Sequence, residues 1–146
     1  MNMELFLEKS QFMERYKALY LKYSNRENLL EKYDPKIVKT LIENMGYKVR
    51  FYKSETFFRV HVLKEPFKVA YNLSLKYGLV ESILEIYDRN GEYQGGGVVA
   101  WLKRNEEGGA YTRKPGFKNY DELEDILRCI FKMIEDNVDI IEQCFE

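Results

Sequence analysis

The apolar positions of this chain change period twice. From Leu5 to Tyr23 they recur as Leu5, Phe12, Tyr16, Leu19, Tyr20 and Tyr23, the spacing of a one-sided helix, with Leu7 and Leu21 off the stripe and Lys9 on it. Ser24 followed by Glu27 reads as a capping box opening a short second helix that runs to about Tyr33. Asp34-Pro35 starts a third, since Asp caps free amides and Pro fits the first turn. Val38, Leu41, Ile42 and Met45 supply its buried side and Gly46 its left-handed end.

At Tyr47 the period falls to two. Val49 and Phe51 alternate with Lys48, Arg50 and Tyr52, and then Phe58, Val60 and Val62 alternate with Phe57, Arg59 and His61. Pro66, which cannot donate to a ladder, ends that strand. Val69, Tyr71, Leu73, Leu75 and Tyr77 then alternate with Lys68, Asn72, Ser74 and Lys76. After Gly78, one side carries Val80, Leu84 and Ile86 and the other Glu81, Ile83, Glu85 and Tyr87. Asp88-Arg89-Asn90-Gly91 is a hairpin signal, and a fifth strand runs through Gly95-Gly96-Gly97 into Val98–Leu102. Arg104–Lys118 reads as a loop, long enough to suggest function or mobility. Asn119 with Glu122 caps one last helix, with Leu123, Ile126, Leu127, Ile130, Phe131, Ile134, Val138, Ile141 and Phe145 along one side.

The pattern predicts an α+β fold over residues 1–146 as a single domain. Its sheet has about five antiparallel strands, with the N-terminal helices and the long C-terminal helix packed mainly on one face.

Charge changes this picture little in total and more in distribution. Twenty-three basic residues against twenty-four acidic give a net charge of −1, with no global pull toward nucleic acid or membrane. Residues 120–146 hold nine acids and two bases, whereas the rest hold fifteen and twenty-one. A solvated helix face accounts for the split, and a partner docked between regions of opposite sign is the functional alternative. The N-terminus lacks a basic start followed by an apolar run, and no stretch nears the roughly 20 apolar residues of a membrane span. Cys129 and Cys144 fall on one predicted helix, out of disulfide reach. Together these point to a reduced, cytoplasmic setting.

Candidate chemistry is sparse. His61 is the only histidine, and its sequence neighbours Arg59 and Leu63 supply neither nucleophile nor orienting acid. Cys129 sits on the polar side of the last helix, and Cys144 lies near Glu142 and Glu146, which disfavour a thiolate. One histidine and no close cysteine pair argue against a zinc site. The three glycines lead into strand rather than helix, so they read as a bulge or close packing and not as a phosphate loop. The acid pairs Glu81/Glu85 and Glu106/Glu107 have nothing that demands a pocket. No catalytic residue, cofactor or metal is expected.

What remains is the second face of the sheet, displaying Arg50, Tyr52, Phe57, Arg59, His61, Ile83, Tyr87 and Trp101. Trp, Tyr and Arg are the types enriched at interface hot spots. The candidate partner-binding residues are Arg50, Tyr52, Arg59, His61, Glu85, Tyr87 and Trp101, with Tyr111 and Arg113 from the loop. The plainer alternative has helices over both faces and these rings in the core. A different function, single-stranded nucleic-acid binding, would stack bases on the rings and place Lys48, Arg50, Arg59 and Lys76 on phosphates. The acidic last helix and a pI near 6.0 count against it. A third, small-ligand binding or catalysis, would have to use His61.

Three stretches, Leu73-Ser74-Leu75-Lys76-Tyr77-Gly78-Leu79-Val80-Glu81, Leu84-Glu85-Ile86-Tyr87-Asp88 and Gly95-Gly96-Gly97, together with the order of elements, resemble the small immunity proteins of bacterial polymorphic-toxin and contact-dependent inhibition systems. The resemblance covers about residues 70–102. It implies a cytoplasmic protein whose partner is a toxin domain, bound tightly and neutralised with no chemistry of its own. It transfers no binding residue and leaves the oligomeric state open.

Overall fold

The structure, a computed structural model, describes residues 3–96 and 114–145. Three helices, α1 (Met3–Ser10), α2 (Phe12–Lys22) and α3 (Pro35–Asn44), precede the strands β1 (Lys48–Tyr52), β2 (Phe57–Leu63), β3 (Lys68–Ser74), β4 (Glu81–Tyr87) and β5 (Tyr93–Gly96). Two further helices follow, α4 (Tyr120–Glu135) and α5 (Val138–Phe145). The strands form one antiparallel meander in the order β1-β2-β3-β4-β5, and the α+β class expected from the periodicity is the observed one.

The helices gather on one face of the sheet. Phe58, Val60, Val69, Tyr71, Leu73, Leu84 and Ile86 point toward them and are buried, as the period of two requires. Leu123, Ile126, Leu127, Ile130, Phe131 and Ile134 of α4 close the core from the other side. Phe131 meets Tyr47 edge-on at 4.7 Å between ring centroids and lies 6.1 Å from Tyr71. Each fully buried large side chain of this set contributes roughly 1.5–3 kcal/mol relative to exposure, so the α4–sheet contact stabilises the fold strongly.

Helix ends are capped as the sequence suggests at two places. The Asp34 side chain accepts from the Lys36 amide, with Pro35 in the first turn. Asn119 accepts from the Glu122 amide while Glu122 accepts from the Lys118 amide. Gly46 stops α3 with φ 97°.

Three helix expectations are corrected. The stripe from Leu5 to Tyr23 is not one helix, because Gln11 takes a left-handed conformation (φ 56°) and separates α1 from α2. That kink buries Leu7, which a straight helix would have turned outward. Ser24–Tyr33 forms no helix. Asn25 accepts the Glu27 amide in a side-chain turn, and Asn28 is left-handed, a conformation asparagine tolerates better than most residues. The last helix is two. The chain turns at Asp136 and Asn137, where the buried Asn137 amide donates to the Met133 carbonyl and the Asn137 carbonyl accepts the first bond of α5 from Ile141. Cys129 and Cys144 therefore stand on different helices, both as free thiols. The third strand also ends sooner than its alternation suggests. Leu75 is buried, but Tyr77 is left-handed in a short 3-10 turn (Lys76–Gly78) and 71% exposed.

That turn belongs to a junction of three irregular stretches. Phe117 donates its amide to the Gly78 carbonyl, and its own carbonyl accepts from Leu30. Gly116 donates to the Tyr23 carbonyl, Val80 to that of Pro115, and Arg26 reaches the Lys114 carbonyl at 2.6 Å. Gly78 has φ 75°, and a Cβ there would sit 2.7 Å from the Leu29 Cβ, so neither its conformation nor its neighbours admit a side chain. The expected loop Arg104–Lys118 is described only from Lys114 onward, and the expected strand residues Val98–Leu102 lie outside the described residues.

Candidate functional site

The face of the sheet turned away from the helices carries side chains in rows set by the strand register. Lys48, His61, Ala70 and Glu85 stand opposite one another across β1, β2, β3 and β4. Arg50, Arg59, Asn72 and Ile83 form the next row. Tyr52 pairs with Phe57 at one end, and Lys68, Tyr87 and Tyr93 make a row at the other.

A polar network ties these rows together. Arg59 Nη1 donates to Glu85 Oε2 at 3.0 Å and to Asn72 Oδ1 at 3.1 Å, and Nη2 reaches the Tyr87 hydroxyl at 3.5 Å. Asn72 Nδ2 donates to the same Glu85 oxygen, and the Tyr87 hydroxyl donates to Glu85 Oε1 at 2.5 Å. The Arg59 and Glu85 side chains are only 23% and 18% exposed, so water screens their attraction less than at an open surface. Arg59 is on β2 and Glu85 on β4, and they meet across β3. Ala70, with only a methyl group, leaves the space, and it is 2% exposed on a face whose other residues are half-open.

The electrostatics follow from these contacts. Burial pushes the Glu85 carboxyl up, but the hydrogen bonds from Arg59 and Tyr87, the Arg59 charge and Asn72 together outweigh it and hold the group below 4.5. The hydrogen bond to Glu85 raises the Arg59 guanidinium, against its burial, and the bond to Glu85 likewise raises the Tyr87 phenol. Burial lowers His61 below 6.5, and the charges of Arg59, Lys64, Lys68 and Lys48 lower it further.

Aromatic rings frame the network. Tyr52 stacks on Phe57 with centroids 4.7 Å apart and planes 10° from parallel, and the Arg50 guanidinium lies 5.1 Å from the Tyr52 ring. Tyr87 meets Tyr93 edge-on at 5.6 Å. Tyr93 and Ile83 are 58% and 42% exposed. Glu55, Phe57, Asn72, Ser74, Glu81 and Ile83 border an open depression of about 330 Å³.

Of the residues picked from sequence, Arg50, Tyr52, Arg59, His61, Glu85 and Tyr87 share this face. Trp101, Tyr111 and Arg113 lie outside the described residues. Two members of this face escaped the sequence. Asn72, read there only as an outward polar position, bridges Arg59 and Glu85, and Tyr93 completes the Tyr87 pair. The hairpin signal at Asp88–Gly91 could have found Tyr93, because it sets the register that brings the two rings together.

Other chemistry finds little support in the geometry. His61 has four cations around it, and among the described residues no carboxylate pairs with it. Burial raises both thiols, at Cys129 with help from Asp125, which is the reverse of nucleophile activation. Among the described residues, no three His, Cys, Asp or Glu side chains are grouped to hold a metal ion, and no helix is long and apolar enough to cross a membrane.

No family model matches the chain, and neither a curated protein nor a solved structure is similar to it.

Proposed function

We propose that this protein is a binding module that engages another protein through the outer face of its sheet, in the manner of an immunity protein that neutralises a toxin by covering it. The observation that carries this reading is the cross-strand network itself. Arg59, Glu85, Asn72 and Tyr87 hold one another in fixed positions on an otherwise half-open face. Side chains ordered before the encounter lose less freedom on binding, and hot spots are drawn from Tyr and Arg for their large contact area. The exposed Tyr93 and Ile83 beside the network add apolar area of the kind an interface covers.

The second reading, single-stranded nucleic acid, draws support from the cations Lys48 and Arg50 on a face that also carries aromatic rings. It is the weaker one because Arg59, one of its four phosphate-contacting cations, is committed to Glu85.

The test is affinity capture from the native cells with the intact chain and with a Tyr52→Ala/Tyr87→Ala variant of unchanged melting temperature. The expected outcome is one protein recovered in stoichiometric amount by the intact chain and lost from the variant. Co-expression with that protein should then restore growth if it is a toxin. Equal recovery by both chains removes this face from consideration.

A further inference from the structure

Folding redistributes the charge of this chain. On the helical side, Asp125 takes Lys22, Asp136 takes Arg15, Glu142 takes Arg89 and Glu124 takes Arg128. On the outer face, Glu85 takes Arg59, and Glu81 takes Lys114 at the far end. Four acids of the C-terminal helices, Glu124, Asp125, Asp136 and Glu142, are thus answered within the fold. The cations at one end of the outer face are not.

Those cations are Lys48 and Arg50 on β1, Lys64 beyond the end of β2 and Lys68 at the start of β3, around the imidazole of His61. Among the described residues none of the four is paired with a carboxylate. Arg50 stands directly across from Arg59, a like-charge pair, and its guanidinium lies beside the Tyr52 ring. The acids nearby are engaged or few. Asp88 accepts from the amides of Asn90 and Glu92 and from Gln94, and Glu65 sits exposed in the turn between Lys64 and Pro66.

Like charges crowded on one sheet face oppose folding, and an anionic ligand removes that cost. Bases are poorly suited to the role, because the rings they would stack on already lie against one another, Tyr52 on Phe57 and Tyr87 on Tyr93. Carboxylates need no ring. We infer that the strip formed by Lys48, Arg50 and Lys68 around His61 receives an acidic segment of the partner protein, its Asp and Glu side chains meeting these cations. This rests on the reading of the outer face as a protein-binding surface and specifies the chemistry of what it binds.

The test uses a fluorescent oligoglutamate peptide titrated at low ionic strength, where exposed charges act over the longest range. Two variants make the same change in net charge, Lys48→Glu/Lys68→Glu on the strip and Lys36→Glu/Lys39→Glu on α3. The peptide is expected to bind the intact chain and the α3 variant alike, and the strip variant at least about tenfold more weakly. Absence of binding, or equal loss in both variants, overturns the inference. So does an oligothymidylate that binds at least as tightly as the peptide and is lost with the strip variant, since the strip would then be a phosphate site. Both strip lysines are intact in the Tyr52→Ala/Tyr87→Ala variant, so failure here leaves the capture result to be judged separately.

Discussion

Arg59 and Glu85 meet across an intervening strand, whose Ala70 puts a single methyl group opposite Glu85. Enlarging that methyl should break the pair without touching either partner. Ala70→Leu is expected to separate Arg59 from Glu85 and lower stability by about 1–3 kcal/mol, the cost of a half-buried charged hydrogen bond left unmade. Urea unfolding of Ala70→Leu, Glu85→Gln and the double mutant checks this. If Ala70→Leu acts through the pair, the second substitution adds little to the first.

Acid should weaken the fold in two stages. His61 has a folded value below 6.5, so the unfolded chain takes up its proton first, and the stability it contributes above 6.5 declines as pH falls toward the folded value. Glu85 has a folded value below 4.5, so its contribution is present above 4.5 and is lost as pH falls through the folded value. Asp125 adds to the lower stage. The hydrogen bond from Tyr23 lowers it below 3.8, against its own burial, and Lys22 lowers it further. In urea midpoints measured across this range, His61→Gln should flatten the upper stage alone and Glu85→Gln the lower stage in part.

Tyr71 lies in the core, 1% exposed, and its hydroxyl has no hydrogen-bond partner among the described residues. Burial accordingly raises its phenol far above 10. Tyr71→Phe removes an unsatisfied polar atom and keeps the ring that faces Phe131, so the urea midpoint should rise. A gain of up to about 1–3 kcal/mol is the range for relieving such a group. A drop in midpoint would mean that the hydroxyl is satisfied in solution.

Ile130 is 2% exposed on α4, in the layer that covers the sheet. Ile130→Asp places a carboxylate there with no cation to meet it and should abolish soluble folding. Recovery of a soluble variant with an unchanged melting temperature would refute the packing of α4 on the sheet.

The strands were legible because a period of two assigns every side chain to a face, and β1 to β4 keep that period almost without fault. The helix breaks were not. Gln11 and Asp136-Asn137 interrupt apolar stripes that run straight on in sequence, and neither place carries the glycine or proline that marks a break. At Ser24–Glu27 a local signal misled. The Glu27 amide that a capping box would leave to Ser24 goes to Asn25, and Leu29 and Leu30 are drawn away to Gly78 and Phe117. That six of the candidate residues share one face was readable from alternation alone. Their network was not, because it depends on the β2–β3–β4 register and on the smallness of Ala70, which alternation does not weigh.

The contact of Arg26 with the Lys114 carbonyl spans 88 residues, and the neighbouring bonds Leu30–Phe117 and Gly116–Tyr23 span comparable lengths. A clasp of this kind cannot fasten until the segment around Lys114–Phe117 has been synthesised and has met the segment around Tyr23–Leu30. The meander, built from neighbouring hairpins, carries no such wait. The hairpins of the sheet are therefore free to pair before the latch behind them closes.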